Sequence, residues 1–233
     1  MKKIVVFTGA GVSAESGLKT FRDSDGLWEN YNVMEVATPE AWEANPEMVL
    51  DFYNQRRRQL HEVEPNEAHC ALAELEQHFD VQIITQNIDD LHERAGSTNV
   101  LHLHGELKKA RSTAPPYDIF DIKSTELNVK DICPRGFQLR PHVVWFGEAV
   151  LMLPKAQELC TTADIFIVVG TSLNVYPAAS LVFYAPETAK KFLVDPKEIH
   201  VSDVKNMEYI KATAGAGVPN LVSRLIKEKA ELV

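Results

Sequence analysis

The chain has 233 residues, of which 45% are hydrophobic and 24% charged, a composition typical of a globular protein with one substantial core. Its formal net charge of -9 argues against a dedicated nucleic-acid binder, which usually presents a basic face. No apolar run approaches the length that crosses a bilayer, and a strand pattern begins at Ile4, so we expect no membrane partner and no signal peptide. The 3 scattered cysteines indicate a reducing, cytoplasmic compartment without disulfides.

The first predicted strand leads into a cluster of small residues. Residues 4–7 have the pattern of a buried parallel strand, and Gly9, Gly11 and Ala14 follow it. Their spacing fits the G-x-G-x-x-G/A fingerprint, in which glycine lets the backbone approach a dinucleotide pyrophosphate at a helix N-terminus. Alone, this fingerprint leaves an ordinary tight strand-to-helix turn equally open. The helix should open at residues 15–18.

A large insertion separates the first strand from the next clear strand, which disfavours an ordinary hydride-transfer dehydrogenase. The insertion opens with a loop over residues 20–30 that carries Phe21 and Arg22. Such loops often cover a site, although a packed surface loop is the alternative. Prolines at first helical positions and apolar residues at helical spacing predict helices over residues 41–45, 46–63 and 67–78.

One face of the second of these helices combines apolar and charged residues. Tyr53 and Arg56 lie there with Phe52 and Leu60, within a helix that also carries a run of three arginines. A charge run usually marks a solvated face, but an arginine among apolar residues needs an anionic partner. That partner is either a core Asp or Glu or a bound carboxylate.

Beyond the insertion, strands alternate with helices, which is typical of a doubly wound parallel sheet. We therefore predict a Rossmann-like α/β fold with a small inserted lobe. Strands are predicted over residues 81–85, 100–104, 165–169 and 191–194, helices over 88–95, 153–162 and 175–184, extended chain over 140–148, and a closing strand-turn-helix over 209–231. The large lobe takes approximately residues 1–37, 79–106 and 140–233, the helical insertion 38–78, and an irregular small lobe 107–139.

Polar side chains follow the predicted strands at the edge where an open parallel sheet places its ligand crevice. Gln86, Asn87 and Asp89 come directly after one strand, where their alternative role is helix capping. His102 and His104 alternate onto one face of the next strand, and a structural role is the commoner fate of such a histidine.

Six motifs together resemble the sirtuin family of NAD-dependent protein deacylases. They are G-A-G-V-S-A-E-S-G at 9–17, T-F-R at 20–22, T-Q-N-I-D at 85–89, H-G-E at 104–106, R-P-H-V-V-W-F-G-E at 140–148 and G-T-S-L-N-V-Y-P-A at 170–178. They occur in family order and span nearly the whole chain. The resemblance implies one catalytic domain that moves the acyl group of a protein or peptide lysine to NAD-derived ADP-ribose. We expect this domain to be a monomer. Its products would be nicotinamide, 2′-O-acyl-ADP-ribose and free lysine.

The resemblance also implies roles for individual residues. His104 would be the general base, which suits a side chain whose unperturbed pKa lies near 6.5. Asn87 would be catalytic and would hold the nicotinamide with Asp89, leaving Gln86 at the ribose. The remaining implied NAD contacts are Gly9, Ala10, Gly11, Ser13, Phe21, Arg22, Gly170, Thr171, Ser172, Asn174 and Ala214. The substrate peptide would pair as an added strand with Val144, Phe146, Gly147 and Glu148.

The element F-Y-N-Q-R-R resembles the Tyr-x-x-Arg element of the sirtuin branch that removes succinyl and malonyl groups. The resemblance implies that Tyr53 and Arg56 bind the acyl carboxylate. A hydroxyl and a guanidinium can hold one carboxylate together, so the physical chemistry agrees. The alternative is an arginine paired with a neighbouring acid, and acetyl-lysine remains an acceptable substrate in either case.

The small lobe departs from the family pattern. Sirtuins usually hold a structural zinc with two cysteine pairs, whereas this lobe contains Cys133 alone, and Ser112 stands about where the first cysteine is expected. A closed zinc site needs four ligands, so we expect no metal. The lobe is expected to pack instead through Tyr117, Ile119, Phe120 and Phe137.

Two alternatives use the same nucleotide pocket. A non-catalytic NAD or ADP-ribose binding module would keep the glycine turn but would need no base at His104. A mono-ADP-ribosyltransferase would pass ADP-ribose to a protein, and no single residue excludes it. The mass of the product separates this transferase from a deacylase.

Overall fold

The computed structural model describes residues 1–18, 27–28 (backbone only), 31–197, 199 and 204–231. Its strands are Lys3–Thr8 (β1), Leu27–Trp28 (β2), Tyr31–Asn32 (β3), Asp80–Thr85 (β4), Val100–His102 (β5), Gly105–Ser112 (β6), Ile119–Asp121 (β7), Leu139–Val143 (β8), Ile165–Val169 (β9), Lys190–Val194 (β10) and Met207–Ile210 (β11). Its α-helices are Val33–Val36 (α1), Pro39–Ala44 (α2), Pro46–Glu62 (α3), Glu67–Leu75 (α4), Leu91–Arg94 (α5), Leu153–Cys160 (α6) and Ala214–Ala230 (α7). None of the helices described is long and apolar enough to cross a bilayer.

Six strands form a wholly parallel sheet in the order β11-β10-β9-β1-β4-β5. When these six strands are numbered 1 to 6 in chain order and the sheet is read from β5, the order is 3-2-1-4-5-6, as in a doubly wound sheet. The order reverses between β1 and β9, and ligands bind such sheets at this switch point. The predicted doubly wound α/β sheet with an inserted lobe is confirmed.

The alternation of side chains along β1 builds a core on each face of the sheet. Ile4 and Val6 are fully buried on one face, where the cluster includes residues of α4 and α7. Val5 and Phe7 are fully buried on the other, against α6 and the 3₁₀ segment Ala178–Tyr184. Burial on both faces explains why β1 is an unbroken apolar run.

Helices α1 to α3 form a module with its own hydrophobic cluster, whereas α4, also part of the insertion predicted over residues 38–78, packs against the sheet. The Thr38 hydroxyl accepts from the backbone N–H of Ala41 and begins α2, and the Asn45 side chain does the same for α3. Phe52 and Tyr53 of α3 are fully buried in the core of this module. The arginine run is not uniformly solvated, because Arg57 is also buried.

The small lobe is more ordered than predicted. Strands β7, β6 and β8 form an antiparallel sheet that extends past both ends of the range 107–139. The expected packing residues were wrong: Tyr117 and Ile119 are each 52% exposed and Phe137 is 44% exposed, while Phe120 is only half-buried. The lobe packs instead through Ala110 and Leu127 against Leu50 of α3, a small cluster that its sequence does not single out.

Hydrogen bonds from α3 fix the lobe to the rest of the molecule. The Asn54 side chain both donates to the carbonyl of Leu127 and accepts from its N–H, at 3.1 and 3.0 Å. The buried Arg57 guanidinium donates to the carbonyl oxygens of Thr125 and Leu107 and to Asn54. Burial lowers the pKa of Arg57 to about 10 against the opposing attraction of Glu126. The charge is therefore retained at neutral pH.

Three predicted helices differ from the structure. Residues 15–18 do not open an α-helix, because 3₁₀ turns at Ala10–Val12 and Ala14–Ser16 end at Gly17 with φ of 99°. The helix predicted over 88–95 is limited to α5, and residues 86–90 before it have no regular secondary structure. The helix predicted over 175–184 is the 3₁₀ segment Ala178–Tyr184.

Candidate active site

A cavity of about 480 Å³ lies at the carboxyl edge of the parallel sheet, where β1, β4 and β9 end. The turn after β8 and the helix α3 also contribute to its wall. It therefore joins the nucleotide turn, the polar residues after β4 and the arginine of α3 in one space. The predicted NAD contacts that border it are Gly9, Ala10, Gly11, Ser13, Gln86, Asn87, Asp89, Gly170, Thr171, Ser172 and Ala214.

The structure does not bring every predicted NAD contact to the cavity. Asn174 is exposed and does not border the cavity. Asn174 follows Leu173, which has a positive φ of 56°. Phe21 and Arg22 lie outside the described residues, so the predicted loop contacts stay predictions.

Two glycine turns touch each other at the switch point. The N–H of Gly11 donates to the carbonyl of Gly170 at 2.8 Å, and that of Gly9 donates to Val169 at 3.0 Å. A Cβ on Gly11 would lie 2.6 Å from the Cα of Gly170, which itself has φ of 60°. The glycines are thus needed for the contact between two turns, a reason that the fingerprint alone does not reveal.

Gly11→Ala should destabilise the protein, because the new methyl group meets backbone atoms that cannot rotate away. Overpacking of this kind costs about 1–3 kcal/mol, and at this chain length each kcal/mol lowers Tm by about 2–4 °C. Thermal unfolding measures the shift. Gly215→Ala is the matched control, since its Cβ would meet only the flexible carboxylate of Glu15 at 3.0 Å. Equal shifts in the two variants would contradict the tight contact between turns.

Ser13 is the centre of a buried polar cluster beside the cavity. Its hydroxyl donates to the Asp89 carboxylate at 3.0 Å and accepts from the Asn87 amide at 3.1 Å. His69 Nε2 lies 3.5 Å from the same hydroxyl, and its Nδ1 accepts from the backbone N–H of Asn66. Burial raises the pKa of Asp89, partly offset by the hydrogen bonds from Leu91 and Ser13. The cluster fixes the side chains of the two predicted nicotinamide residues.

Burial of His69 predicts a loss of stability in acid. Burial lowers its pKa from 6.5 to about 4, with a small opposing effect of Glu93. Between these values the unfolded chain binds a proton that the folded chain does not. The contribution of His69 to the free energy of unfolding is therefore complete above pH 6.5. It decreases by up to about 3 kcal/mol as the pH falls towards 4. Unfolding free energies at pH 7 and 5 measure this slope.

His69→Gln removes the titrating group and should reduce the pH dependence of the unfolding free energy. A residual slope is expected, because burial also lowers the pKa of His92. His61→Gln, at an exposed position of α3, is the control and should leave the slope unchanged. A pH dependence that His69→Gln leaves unchanged would contradict the assignment.

His104 borders the cavity in a defined protonation state. Its Nδ1 lies 3.0 Å from the carbonyl oxygen of Gln86, and a carbonyl only accepts, so Nδ1 carries the proton. Nε2 is then the basic nitrogen. Burial lowers the pKa of His104, with an opposing effect of the Gln86 carbonyl, so the ring is neutral at pH 7.

His102 has the opposite protonation state. Its Nδ1 donates to the carbonyl of Asn87 at 3.0 Å, and its Nε2 donates to the Glu93 carboxylate at 2.8 Å. Burial favours the neutral ring, but the hydrogen bond and charge of Glu93 outweigh it and raise the pKa of His102. His102 thus has the structural role that was left open, as a cation that holds the backbone of Asn87.

The α3 side of the cavity carries both predicted acyl-binding residues. Tyr53, Arg56 and Leu60 border the cavity together with Trp145. The Arg56 guanidinium lies 5.5 Å from the ring centroid of Phe52. Tyr53 borders the cavity although it has no water-accessible surface, so a ligand reaches its hydroxyl only when neighbouring side chains shift. This wall combines apolar surface with one guanidinium and one hydroxyl.

The four predicted peptide-binding residues, Val144, Phe146, Gly147 and Glu148, border the cavity within a turn rather than in extended chain. The N–H groups of Val144 and Phe146 already donate to the carbonyls of His104 and Ala37. An added strand would therefore have to use other backbone groups of this turn.

The Glu148 carboxylate has a structural role, whereas the predicted substrate contact of residue 148 concerns its backbone and stays a prediction. It accepts from Arg140 at 2.8 and 3.0 Å, from Arg111 at 2.7 Å and from the Trp145 N–H at 2.8 Å. Its pKa is lowered because these partners outweigh its partial burial. The carboxylate holds the turn closed.

Comparison with known proteins identifies the family. Residues 9–177 match the model of the Sir2 family. The chain belongs to the Sir2 family. A Helicobacter pylori protein named NAD-dependent protein deacylase is 53% identical over 227 residues, which cover 97% of this chain and 99% of that protein. The resemblance to sirtuins seen in the motifs is thus confirmed.

Solved Sir2 structures share both fold and sequence with this chain. A Sir2 homologue in complex with NAD superimposes with a TM-score of 0.87 at 40% identity, covering 98% of this chain and 90% of the homologue. A mutant Sir2 homologue in complex with ADP-ribose has a TM-score of 0.88 at 40% identity, covering 100% and 94%. These likenesses extend over the whole cavity-forming part of the chain.

The zinc site of many sirtuins does not fit the residues of this Sir2 chain. Cys133 Sγ lies 3.7 Å from the Ser112 hydroxyl, which in turn donates to the carbonyl of Ala114. The carboxylate of Asp118, in the same lobe, is paired with Arg135 at 3.0 Å. Within the described ranges, no three His, Cys, Asp or Glu side chains gather as metal ligands do. A closed zinc site needs four ligands, and the absence of zinc from this lobe stays a prediction.

Several residues that border the Sir2 cavity were not predicted from the sequence. Glu15 borders it and accepts from the Gly215 N–H at the start of α7, at 2.6 Å. Lys197 borders it on the side of β10, beside Asp195. Glu15 lies inside the motif at residues 9–17, so that motif could have indicated its position at the cavity. Lys197 lies in a stretch with no pattern that would have identified it.

Proposed function

We propose that this Sir2 chain uses NAD to remove acyl groups from protein lysines and that it favours acyl groups ending in a carboxylate. The observation that carries the proposal is the placement of a neutral histidine, His104, in the same cavity as the glycine turns and the arginine of α3. A binding module would need no such base. The name of the Helicobacter pylori relative supports the first part.

The nucleotide half of the cavity suits NAD. The turns at Gly9 and Gly170 meet at the switch point of the sheet, where dinucleotides bind in this topology. Asn87 and Asp89, held by Ser13, offer an amide and a carboxyl group to the nicotinamide carboxamide. Bound NAD supplies the ADP-ribose that accepts the acyl group, with nicotinamide as the leaving group.

The chain's own contribution to the reaction is proton transfer at a fixed atom. The Gln86 carbonyl holds the Nδ1 proton of His104, which leaves Nε2 to accept a proton from a ribose hydroxyl. The cation at His102 holds the backbone carbonyl of Asn87, the residue that directly follows Gln86 in the same turn. Correct placement of base and nucleotide thus depends on one turn after β4.

The preference for acidic acyl groups follows from the wall on α3. The guanidinium of Arg56 would bind the distal carboxylate, and the Tyr53 hydroxyl would donate to it once neighbouring side chains shift. Burial raises the pKa of Tyr53, so its hydroxyl keeps its proton at all working pH values. The expectations of a zinc-free, monomeric, cytoplasmic enzyme stay predictions.

Nicotinamide release with a panel of lysine peptides tests both parts of the proposal. We expect NAD consumption with succinyl-, malonyl- and acetyl-lysine peptides and none with the unmodified peptide. The ratio of kcat/KM for succinyl over acetyl should exceed one. Release that does not depend on the acyl group would contradict deacylation, whereas a ratio below one would contradict only the acidic-acyl preference.

A further inference from the structure

Trp145 lies next to Tyr53 and bonds to its hydroxyl. Its side chain is nearly fully buried, at 2% exposure, and its indole Nε1 lies 3.0 Å from the Tyr53 oxygen. An indole N–H only donates, so the hydroxyl oxygen must accept. In the part of the chain that the structure describes, this is the single hydrogen bond of the Tyr53 hydroxyl.

This hydrogen bond determines where the hydroxyl proton points. A phenol proton prefers the ring plane, on one of the two sides of the oxygen. Because the Trp145 N–H occupies one side, the Tyr53 proton takes the other side and becomes a donor for a different acceptor. Without the indole N–H, the hydroxyl would rotate between both sides, and part of its donor strength towards a ligand would be lost.

We propose that Trp145 is a specificity-determining positioning residue, whose indole N–H orients the Tyr53 hydroxyl as a donor to the carboxylate of a bound acyl group. The inference rests on the proposed preference for acidic acyl groups and deepens it. Trp145 acts through Tyr53 and does not need to touch the carboxylate itself.

The surroundings of Trp145 hold its ring in place. The Arg140 guanidinium carbon lies 3.2 Å from the ring centroid, and Arg140 is itself fixed by the Glu148 carboxylate. Glu148 also accepts from the Trp145 backbone N–H at 2.8 Å. Trp42 packs on the same ring with a centroid distance of 5.8 Å. An indole fixed on this many sides is suited to orient a neighbouring hydroxyl.

The test compares Trp145→Phe in two backgrounds, wild type and Tyr53→Phe. Phenylalanine keeps an aromatic ring for Arg140 but removes the N–H. The readout is the ratio of kcat/KM for succinyl-lysine over acetyl-lysine peptides. We expect Trp145→Phe to lower this ratio about tenfold in wild type, since a hydrogen bond to a charged group contributes that much or more. In the Tyr53→Phe background the same change should leave the ratio constant.

Trp42→Phe is the matched control for altered packing on the same ring and should not change the ratio. Thermal unfolding of each variant checks that it is folded. A ratio that Trp145→Phe leaves unchanged, while Tyr53→Phe lowers it, would overturn this inference but not the acidic-acyl preference. If Trp145→Phe lowered the ratio equally in the wild-type and Tyr53→Phe backgrounds, the inference would be wrong and the effect would come from altered packing. If the wild type showed no preference for succinyl-lysine and Tyr53→Phe left the ratio unchanged, both this inference and the acidic-acyl preference would be wrong.

Discussion

His104→Ala should lower kcat for deacylation by about 10²–10⁴-fold, the usual contribution of a positioned general base. The geometry gives the reason, because Nδ1 is committed to the Gln86 carbonyl and Nε2 is the basic nitrogen at the cavity. Steady-state kinetics with an acyl-lysine peptide at saturating NAD measures the loss. His104→Asn, which can keep a donor to the Gln86 carbonyl, should be as inactive, since it restores the contact but not the base.

The pH dependence of the wild type gives an independent test of the same histidine. Since burial lowers the pKa of His104, kcat/KM should be constant near pH 7 and decrease only on the acid side, below pH 6.5. His142→Ala, on the adjacent β8 but away from the cavity, is the control and should retain activity. Full turnover by His104→Ala, or an activity lost equally in His142→Ala, would contradict the assigned base.

Arg56→Met should lower kcat/KM for succinyl-lysine about 10- to 100-fold relative to acetyl-lysine. The substitution removes the guanidinium but keeps the aliphatic length, and hydrogen bonds to a charged group contribute about 1.5–3 kcal/mol. An acetyl group presents no carboxylate, so the lost interaction affects the two substrates unequally. The measurement is the succinyl-to-acetyl ratio of kcat/KM, which cancels general damage to the enzyme.

Arg58→Met is the matched control from the same helix. Arg58 is exposed, pairs with Glu126 and does not border the cavity, so its loss should leave the ratio unchanged. If Arg56→Met left the ratio unchanged as well, Arg56 would have a structural role and the acidic-acyl preference would be wrong. If both variants lowered it equally, the positive charge of the helix would act at long range, contrary to direct binding.

The parallel sheet was predictable because its signals are local. A strand buried on both faces appears as an apolar run, and the polar turns after residues 85 and 169 follow directly from where such runs end. The two glycine turns, His104 and Asn87, which the motifs include, all border one cavity. The contact between Gly11 and Gly170 was not predictable, because it depends on two strands that are distant in sequence.

The small lobe and the turn after β8 were harder to predict from the sequence, because their contacts join distant parts of the chain. The lobe is short and amphipathic, and its strands pair across the ends of the predicted segment, so the exposed aromatic residues were mistaken for its core. Glu148 lies inside a family motif, yet its carboxylate accepts hydrogen bonds from two arginines, Arg111 and Arg140. The spacing of these residues in the sequence does not predict that they meet. The Trp145–Tyr53 bond likewise joins residues 92 positions apart.

The most direct test of deacylation by this chain is the mass of the products that the wild-type protein forms from NAD and a succinyl-lysine peptide. Deacylation predicts free lysine peptide, nicotinamide and a new small molecule with the mass of succinyl-ADP-ribose, in equal amounts. Peptide or enzyme that gains the mass of ADP-ribose, with the acyl-lysine left intact, would instead identify a mono-ADP-ribosyltransferase. Unchanged NAD and peptide would indicate a binding module, and either result would contradict the role of His104 proposed here.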